Sequence, residues 1–179
     1  QGVSSAASDV YKRQLPASGI GYDVHRFAPD RPLVLGGVTI PHPLGLEGHS
    51  DADVLCHAIA DAILGAIGER DIGFHFPNTD ERYRGIDSLR IVSHAVALVA
   101  ERGARLVNID STLVCEAPKI GPHLTPMREN LAAALGIPAT RVGIKATTNE
   151  RMGFLGRGEG IAALAVASVL LPDTLDASS

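Results

Sequence analysis

The sequence predicts one layered domain of the α/β (α+β layered) class. Three observations carry this. The 179 residues are 45% hydrophobic and 20% charged, the balance of one ordinary globular core and not of a disordered chain. Period-two segments alternate with segments whose apolar residues recur at helical spacing. No internal repeat, heptad pattern or low-complexity linker interrupts them, so a single stack of sheet and helices accounts for the order.

Taken along the chain, residues 1–18 (QGVSSAASDVYKRQLPAS) are small and polar, lack the apolar stretch of a signal peptide, and read as a leader foreign to the fold. Gly19–Phe27 and Leu33–Ile40 read as strands separated by a Pro-bearing loop. Ser50 or Asp51 can cap a helix with apolar positions at Val54, Leu55, Ala58, Ile59, Ala62, Ile63, Ala66 and Ile67, stopped by Gly68. Residues 69–85 form a long loop, and loops of that length are more often functional than idle. Asp87 or Ser88 opens a second helix that ends near Gly103. Residues 104–115 alternate as a strand, Pro126–Leu135 forms a third helix stopped by Gly136, and Val142–Thr147 is a further strand. The last run, IAALAVASVLL (161–171), is ambiguous: its alanines favour helix, while its length and the preceding glycines allow a buried strand. Residues 173–179 read as a flexible tail.

Charge and composition exclude several functions. A net charge of −4, with no Trp, four Phe and three Tyr, offers neither the positive field nor the stacking surfaces that nucleic acids require. The longest apolar run has 11 residues, about half of what a spanning helix needs. Cys56 and Cys115 lie in no C-x-x-C pair and read as reduced, partly buried thiols of a cytosolic protein.

Five of the seven histidines (His25, His42, His49, His57, His75) share the N-terminal half with Asp23, Asp51, Asp53, Asp61 and Asp71. The sharpest signal is Asp23-Val24-His25. Residues i and i+2 of a strand share a face, so the carboxylate and imidazole converge. His57 on the first helix can add a third ligand, a set that leaves a catalytic zinc one open position. Asp53 and Asp61, four residues either side of His57, can orient its imidazole. A strand-end Asp–His hydrogen bond with a satisfied helix histidine is the competing reading of the same residues. His49-Ser50 enters the helix where a phosphate would be favoured. The segment KATTNERMGFLGRGEG offers hydroxyls, cations and backbone N–H groups suited to a polyphosphate, but it is neither a dinucleotide fingerprint nor a P-loop, and a glycine-rich structural turn reads equally well from the same residues.

Six segments together carry a resemblance: GIGYDVHRF (19–27), LGGVTIP (35–41), GLEGHSDADVLCHAIADAILGA (45–66), DIGFHFPNTD (71–80), CEAPKIGPH (115–123) and KATTNERMGFLGRGEGIA (145–162). In order and spacing they resemble the 2-C-methyl-D-erythritol 2,4-cyclodiphosphate synthase family of the non-mevalonate isoprenoid pathway, from Gly19 to about Leu171. The resemblance implies a lyase reaction. The 2-phosphate of 4-diphosphocytidyl-2-C-methyl-D-erythritol 2-phosphate attacks its own β-phosphorus, CMP leaves, and a cyclic diphosphate remains.

Carried over by position, Asp23, His25 and His57 match ligands of a zinc-type ion (Zn2+ or Mn2+), and Glu150 matches the residue holding a second divalent ion, Mg2+ or Mn2+, on the diphosphate. His49 and Thr148 match the positions that stabilise the transition state, and Ser50 a substrate contact. Asp71, Ile72 and Gly73 match the segment reaching ribose and substrate, and Phe76, Pro77, Asn78, Thr79 and Asp80 the loop over the methylerythritol phosphate. Cys115, Glu116, Ala117, Pro118, Lys119, Ile120 and Gly121 match the cytosine pocket. Thr147, Asn149, Phe154 and Arg157 match further substrate contacts. Asn78 stands where the family usually has Asp, which keeps a hydrogen-bonding carbonyl and loses a charge. Lys119, Lys145, Arg151 and Arg157 would supply local positive charge to the anionic substrate.

The same resemblance implies a bacterial, cytoplasmic enzyme of one domain over residues 19–172. It implies a homotrimer of mixed four-stranded sheets around a three-fold axis. Three main helices lie on one side of each sheet beside a small β-hairpin, with active sites between subunits. A zinc-dependent phosphohydrolase and a non-catalytic nucleotide- or isoprenoid-binding trimer are the competing readings.

Overall fold

The computed structural model describes residues 14–173. The chain runs β1 (Gln14–Ala28), β2 (Leu33–Leu35), β3 (Val38–Ile40), β4 (Gly45–Leu46), α1 (Val54–Ala66), α2 (Ile72–His75), α3 (Ser88–Glu101), β5 (Arg105–Val114), α4 (Leu124–Leu135), β6 (Val142–Thr147), α5 (Gly153–Gly156) and β7 (Gly160–Pro172). The main sheet has the order β4-β1-β7-β5-β6. β7 is antiparallel to both β1 and β5, whereas β5 and β6 are parallel, so the sheet is mixed. It has five strands, not four, because the two residues of β4 pair with Phe27 and Ala28.

Alternation places the layers. Along β7, Ile161, Ala163, Ala165, Ala167 and Val169 are buried, while Leu164 and Val166 are exposed. The inner face meets α1, which is buried on nearly every side between the sheet and α3 and is accordingly apolar except along the His57–Asp61 stripe. α4 packs on α3 and β6. The alanine-rich run 161–171 is therefore a strand. It lies between two partners, and this pairing and burial outweigh a weak helix preference.

Several sequence expectations are adjusted. Gln14–Ser18, read as part of a leader, extend β1 by pairing with Ser168–Pro172; residues 1–13 lie outside the described residues, as do 174–179 of the expected tail. Leu33–Ile40 is not one strand but the hairpin β2–β3, turning at Gly36 and Gly37, both with positive φ. The α1 cap is Asp53, not Ser50 or Asp51: its carboxylate accepts the Cys56 N–H at 3.1 Å. The third long helix begins at Leu124, before Pro126. The loop 69–85 contains α2 and a 3-10 turn at Glu81–Tyr83. Cys56 and Cys115 are buried and unbonded to each other. Among the described residues no helix is long and apolar enough to cross a membrane.

The layers meet most closely at Gly19 and Gly21. A Cβ on Gly21 would lie 1.9 Å from the Ala58 carbonyl oxygen and 2.8 Å from the Ala62 nitrogen, and one on Gly19 2.1 Å from the Ala62 carbonyl oxygen. These are backbone atoms of a buried helix and cannot step aside. The variant Gly21→Ala is expected to lose about 3 kcal/mol, lowering Tm by roughly 6–12 °C in thermal unfolding. Gly68→Ala, where a Cβ meets nothing within 4 Å, loses only the ~1 kcal/mol of left-handed strain. Equal losses would show that the close approach is not limiting.

Candidate active site

Asp23 and His25 leave the inner face of β1 side by side, as their i, i+2 spacing requires, and His57 meets them from the first turns of α1. His57 Nδ1 and His25 Nε2 each lie 2.9 Å from Asp23 Oδ2, and 3.2 Å from one another. Two ring nitrogens and a carboxylate oxygen thus point at one spot, and among the described residues this is the one such cluster of three or more His, Cys, Asp or Glu ligand atoms. Four ligands about 2.05 Å from a zinc ion stand roughly 3.3 Å apart, so the observed spacing fits an Asp/His/His ligand set.

The far edges of both rings are anchored. His25 Nδ1 is 2.6 Å from the Glu47 carbonyl oxygen. His57 Nε2 lies 3.1 Å from Ser50 Oγ and 2.9 Å from Ser88 Oγ. Burial works against the charged forms here, but hydrogen bonds and charge attraction win. The two imidazoles hold the Asp23 carboxyl well below the usual carboxylate range, and Asp23 raises His25. The helix carboxylates expected to orient His57 do other work. Asp53 is wholly buried, caps α1 and accepts the Gly37 N–H at 2.8 Å, tying the hairpin turn to the helix start. Asp61 accepts the Ile72 N–H at 2.8 Å. Four-residue spacing puts both on the face of His57, but backbone donors claim them. Ser88 and Asp51 are what sequence reasoning missed. The one signal for Ser88 was its place at a helix start, which by itself predicts capping.

A cleft of about 600 Å3 opens beside the cluster, lined by Asp23, His25, His57, Gly48–Ser50, Ile72, Gly73, Phe76–Thr79, Tyr83, Ile86 and Ile91. It gathers most of the N-terminal residues singled out from sequence. Among the described residues His49 Nε2 is buried without a hydrogen-bond partner, a polar atom of the kind a bound ligand satisfies. Asp71 caps α2 by accepting the Phe74 N–H at 3.0 Å. Asp80 pairs with Arg82 at 2.6 Å, which holds its carboxyl below the ordinary value.

A second cavity, of about 420 Å3, is lined by Cys115, Glu116, Pro118–Pro122 and Ala146–Thr148. It follows the ends of β5 and β6. Glu116 Oε1 accepts the N–H groups of Asn149 and Arg151 at 3.0 and 3.1 Å, joining the two loops that form it. Thr148 Oγ1 donates to Glu150 Oε1 at 3.0 Å, and Glu150 and Arg151 both hold positive φ. Burial, with Glu116 adding to it, pushes the Cys115 thiol up to about 11, so Cys115 is no nucleophile at neutral pH. Phe154 lines a third cleft with Val24–Phe27 and Gly158–Gly160. Two of the four expected cations are already engaged: Lys145 with Asp110 at 2.5 Å and Arg157 with Glu159 at 2.6 Å.

The two halves do not meet within one chain. Val24, Ala162, Val114 and Thr147 stand level across β1, β7, β5 and β6. Three interstrand spacings, about 14 Å, thus separate the Asp23–His25 end from the Thr147–Glu150 loop. Glu150 is accordingly absent from the ligand cluster.

The chain is 61% identical to the 2-C-methyl-D-erythritol 2,4-cyclodiphosphate synthase of Akkermansia muciniphila, over 92% of this chain and 98% of that one. Its fold matches the bifunctional IspDF of Campylobacter jejuni with a TM-score of 0.85 at 40% identity, covering 89% of this chain and 43% of that longer one. It also matches the CDP complex of IspF from Plasmodium falciparum, with a TM-score of 0.76 at 30% identity over 88% of this chain and 96% of that one. The profile of the YgbB family matches residues 17–170, and the chain belongs to the YgbB family.

Proposed function

We propose that this chain is a 2-C-methyl-D-erythritol 2,4-cyclodiphosphate synthase. It closes 4-diphosphocytidyl-2-C-methyl-D-erythritol 2-phosphate into the cyclic diphosphate, with release of CMP, for isoprenoid precursors. The observation that carries this is the convergence of Asp23, His25 and His57 at a cleft holding His49 and Ser50. The identity to curated synthases over most of the chain supports it.

The reaction needs little from side chains as bases. An oxygen of the 2-phosphate, already ionised at neutral pH, forms the new bond to the β-phosphorus. The bond from the β-phosphorus to the bridging oxygen breaks, and its electron pair leaves with CMP. Catalysis is then positioning and charge neutralisation. Asp23, His25 and His57 would hold a zinc-type ion, and Glu150 a second divalent ion. Such ions, when bound, neutralise phosphate charge and offset repulsion between the reacting phosphates. His49 would donate to a phosphate oxygen through its Nε2, and Thr148 would do the same from the other half-site by turning its hydroxyl away from Glu150 once that carboxylate holds its ion. Phe76–Asp80 would cover the methylerythritol phosphate, Asp71–Gly73 would reach the ribose and substrate, and Cys115–Gly121 would read the cytosine through backbone groups. The CDP-bound IspF of Plasmodium falciparum supports a CDP-containing substrate.

One catalytic domain over residues 19–172 is proposed to complete its site in a homotrimer. Two features support assembly. The half-sites are held apart within the chain, and the outer sheet face exposes Ile20, Tyr22, Val24, Leu164 and Val166 together, an apolar patch of the kind that marks an interface. Buried unbonded thiols at Cys56 and Cys115 suit a reducing compartment, and a cytoplasmic setting is proposed.

Incubation with the diphosphocytidyl substrate is expected to give the cyclic diphosphate and CMP; linear products would indicate a phosphohydrolase instead. His57→Ala is expected to abolish turnover while leaving the protein folded and assembled, and near-normal turnover would discard the metal assignment. Native mass measurement at micromolar concentration should give three times the chain mass. Ile20→Asp, at a position 74% exposed in the isolated chain, should shift that mass to the monomer and remove activity without unfolding. A trimer unaffected by that charge would place the interface elsewhere.

A further inference from the structure

His57 can bind a cation through Nδ1 only if that atom carries a lone pair, so the ring proton must sit on Nε2. Its contact with Asp23 works against this, because a carboxylate oxygen at 2.9 Å from Nδ1 invites the proton to that side. The opposite edge of the ring decides the matter. Nε2 lies 2.9 Å from Ser88 Oγ, closer than the 3.1 Å to Ser50 Oγ, which accepts the Ala52 N–H at 3.0 Å. A hydroxyl has one proton to donate, and Ser88 is 2.5 Å from Asp51 Oδ1, to which it donates that proton. Toward His57 it can therefore only accept. Asp51 is itself held in place: Oδ2 accepts the Ser88 N–H at 3.0 Å, and Oδ1 accepts the Asp53 N–H at 3.2 Å. Ser88 is wholly buried and His57 is 6% exposed, which shields the contact from bulk water.

We infer that Asp51 and Ser88 form a hydrogen-bond relay that fixes the Nε2–H tautomer of His57 and so aims its Nδ1 lone pair at the ion. Both are positioning residues, because neither lines the cleft. The inference rests on the metal-binding reading of Asp23, His25 and His57. It predicts a particular failure. In Asp51→Asn the nearly isosteric amide can donate to Ser88 Oγ, the hydroxyl proton turns to His57 Nε2, and the ring proton moves to Nδ1. Ser88→Ala removes the nearer acceptor and leaves His57 Nε2 only the Ser50 hydroxyl at 3.1 Å. Partners of this kind are typically worth about 10–100-fold in metal affinity.

The test is the Zn2+ dissociation constant of the metal-stripped full chain, measured by competition with a chromogenic chelator. It is paired with 15N NMR of the histidine rings in the metal-free protein. Asp51→Asn and Ser88→Ala should each weaken Zn2+ binding about 10–100-fold, and the NMR should show the His57 proton on Nε2 in the parent and on Nδ1 in Asp51→Asn. Asp87→Asn is the control. Asp87 is exposed and caps the same helix through the Leu89 N–H at 2.9 Å, a role Asn keeps, so merely removing a carboxylate charge from that helix start should leave Zn2+ affinity within about twofold of the parent. If Ser88→Ala does not fold, Asp51→Asn and the NMR assignment decide. Parent-like affinity in Asp51→Asn, or an equal loss in Asp87→Asn, overturns the relay and leaves the metal site standing. A parent chain that binds Zn2+ no better than His57→Ala overturns both.

Discussion

The structure depends on how closely α1 lies against β1. Backbone touches backbone there because Gly19 and Gly21 present no Cβ to the Ala58 and Ala62 carbonyls. Ala58 is the residue after His57, and Asp23 lies two residues beyond Gly21 along the strand. The contact that sets the interlayer distance is therefore one step from the contact that gathers the ligands. A bulkier residue at Gly21 would push the helix outward and draw His57 away from Asp23 and His25. Packing and chemistry share one constraint here. Asp53 reinforces it from the helix start, where a wholly buried carboxylate binds both the α1 N-terminus and the hairpin turn.

A second constraint follows from the sheet. Strands β7 and β5 lie between the Asp23–His25 end and the loop carrying Thr148 and Glu150, so no side-chain motion within a chain joins the two clefts. Each is incomplete alone: one has the ligand cluster and a His49 whose Nε2 has no hydrogen-bond partner among the described residues, the other a loop cavity beside Thr148 and Glu150. The proposed trimer resolves this by letting one chain's first cleft face another chain's second. The acidity of the chain then matters less than its local arrangement. Lys145 and Arg157 are already paired with carboxylates, which leaves divalent ions, Lys119 and Arg151 as the better candidates for balancing substrate charge.

What the sequence made legible follows the range of the interactions involved. Asp23 and His25 could be read together because a strand repeats every two residues, and the helical period of 54–67 placed His57 on a buried helix. Local rules failed where the partner was distant. Spacing assigned Asp53 and Asp61 to His57, but the ring bonds to Ser88, 31 residues away, and no periodicity encodes such a contact. Gln14–Ser18 end a small, polar stretch that gave no strand signal, because only pairing with Ser168–Pro172 makes them one. The run 161–171 stayed ambiguous for the same reason, since two neighbouring strands decide its state. The separation of the half-sites could not be read at all from motif order, because it is a property of strand order.

The claim that one site is built from two chains can be tested most directly by mixing subunits. Two variants, His57→Ala and Thr148→Val, are each expected to be inactive, one lacking a ligand and the other a hydroxyl of the opposite half-site. When they are dissociated, mixed in equal amounts and reassembled, each site draws its halves from neighbouring chains around a ring. About a quarter of the sites then combine an intact His57 with an intact Thr148, and turnover should return to about that fraction of the parent. If both halves of a site came from one chain, no combination would restore an intact site. Turnover remaining at the level of the separate variants would contradict the account.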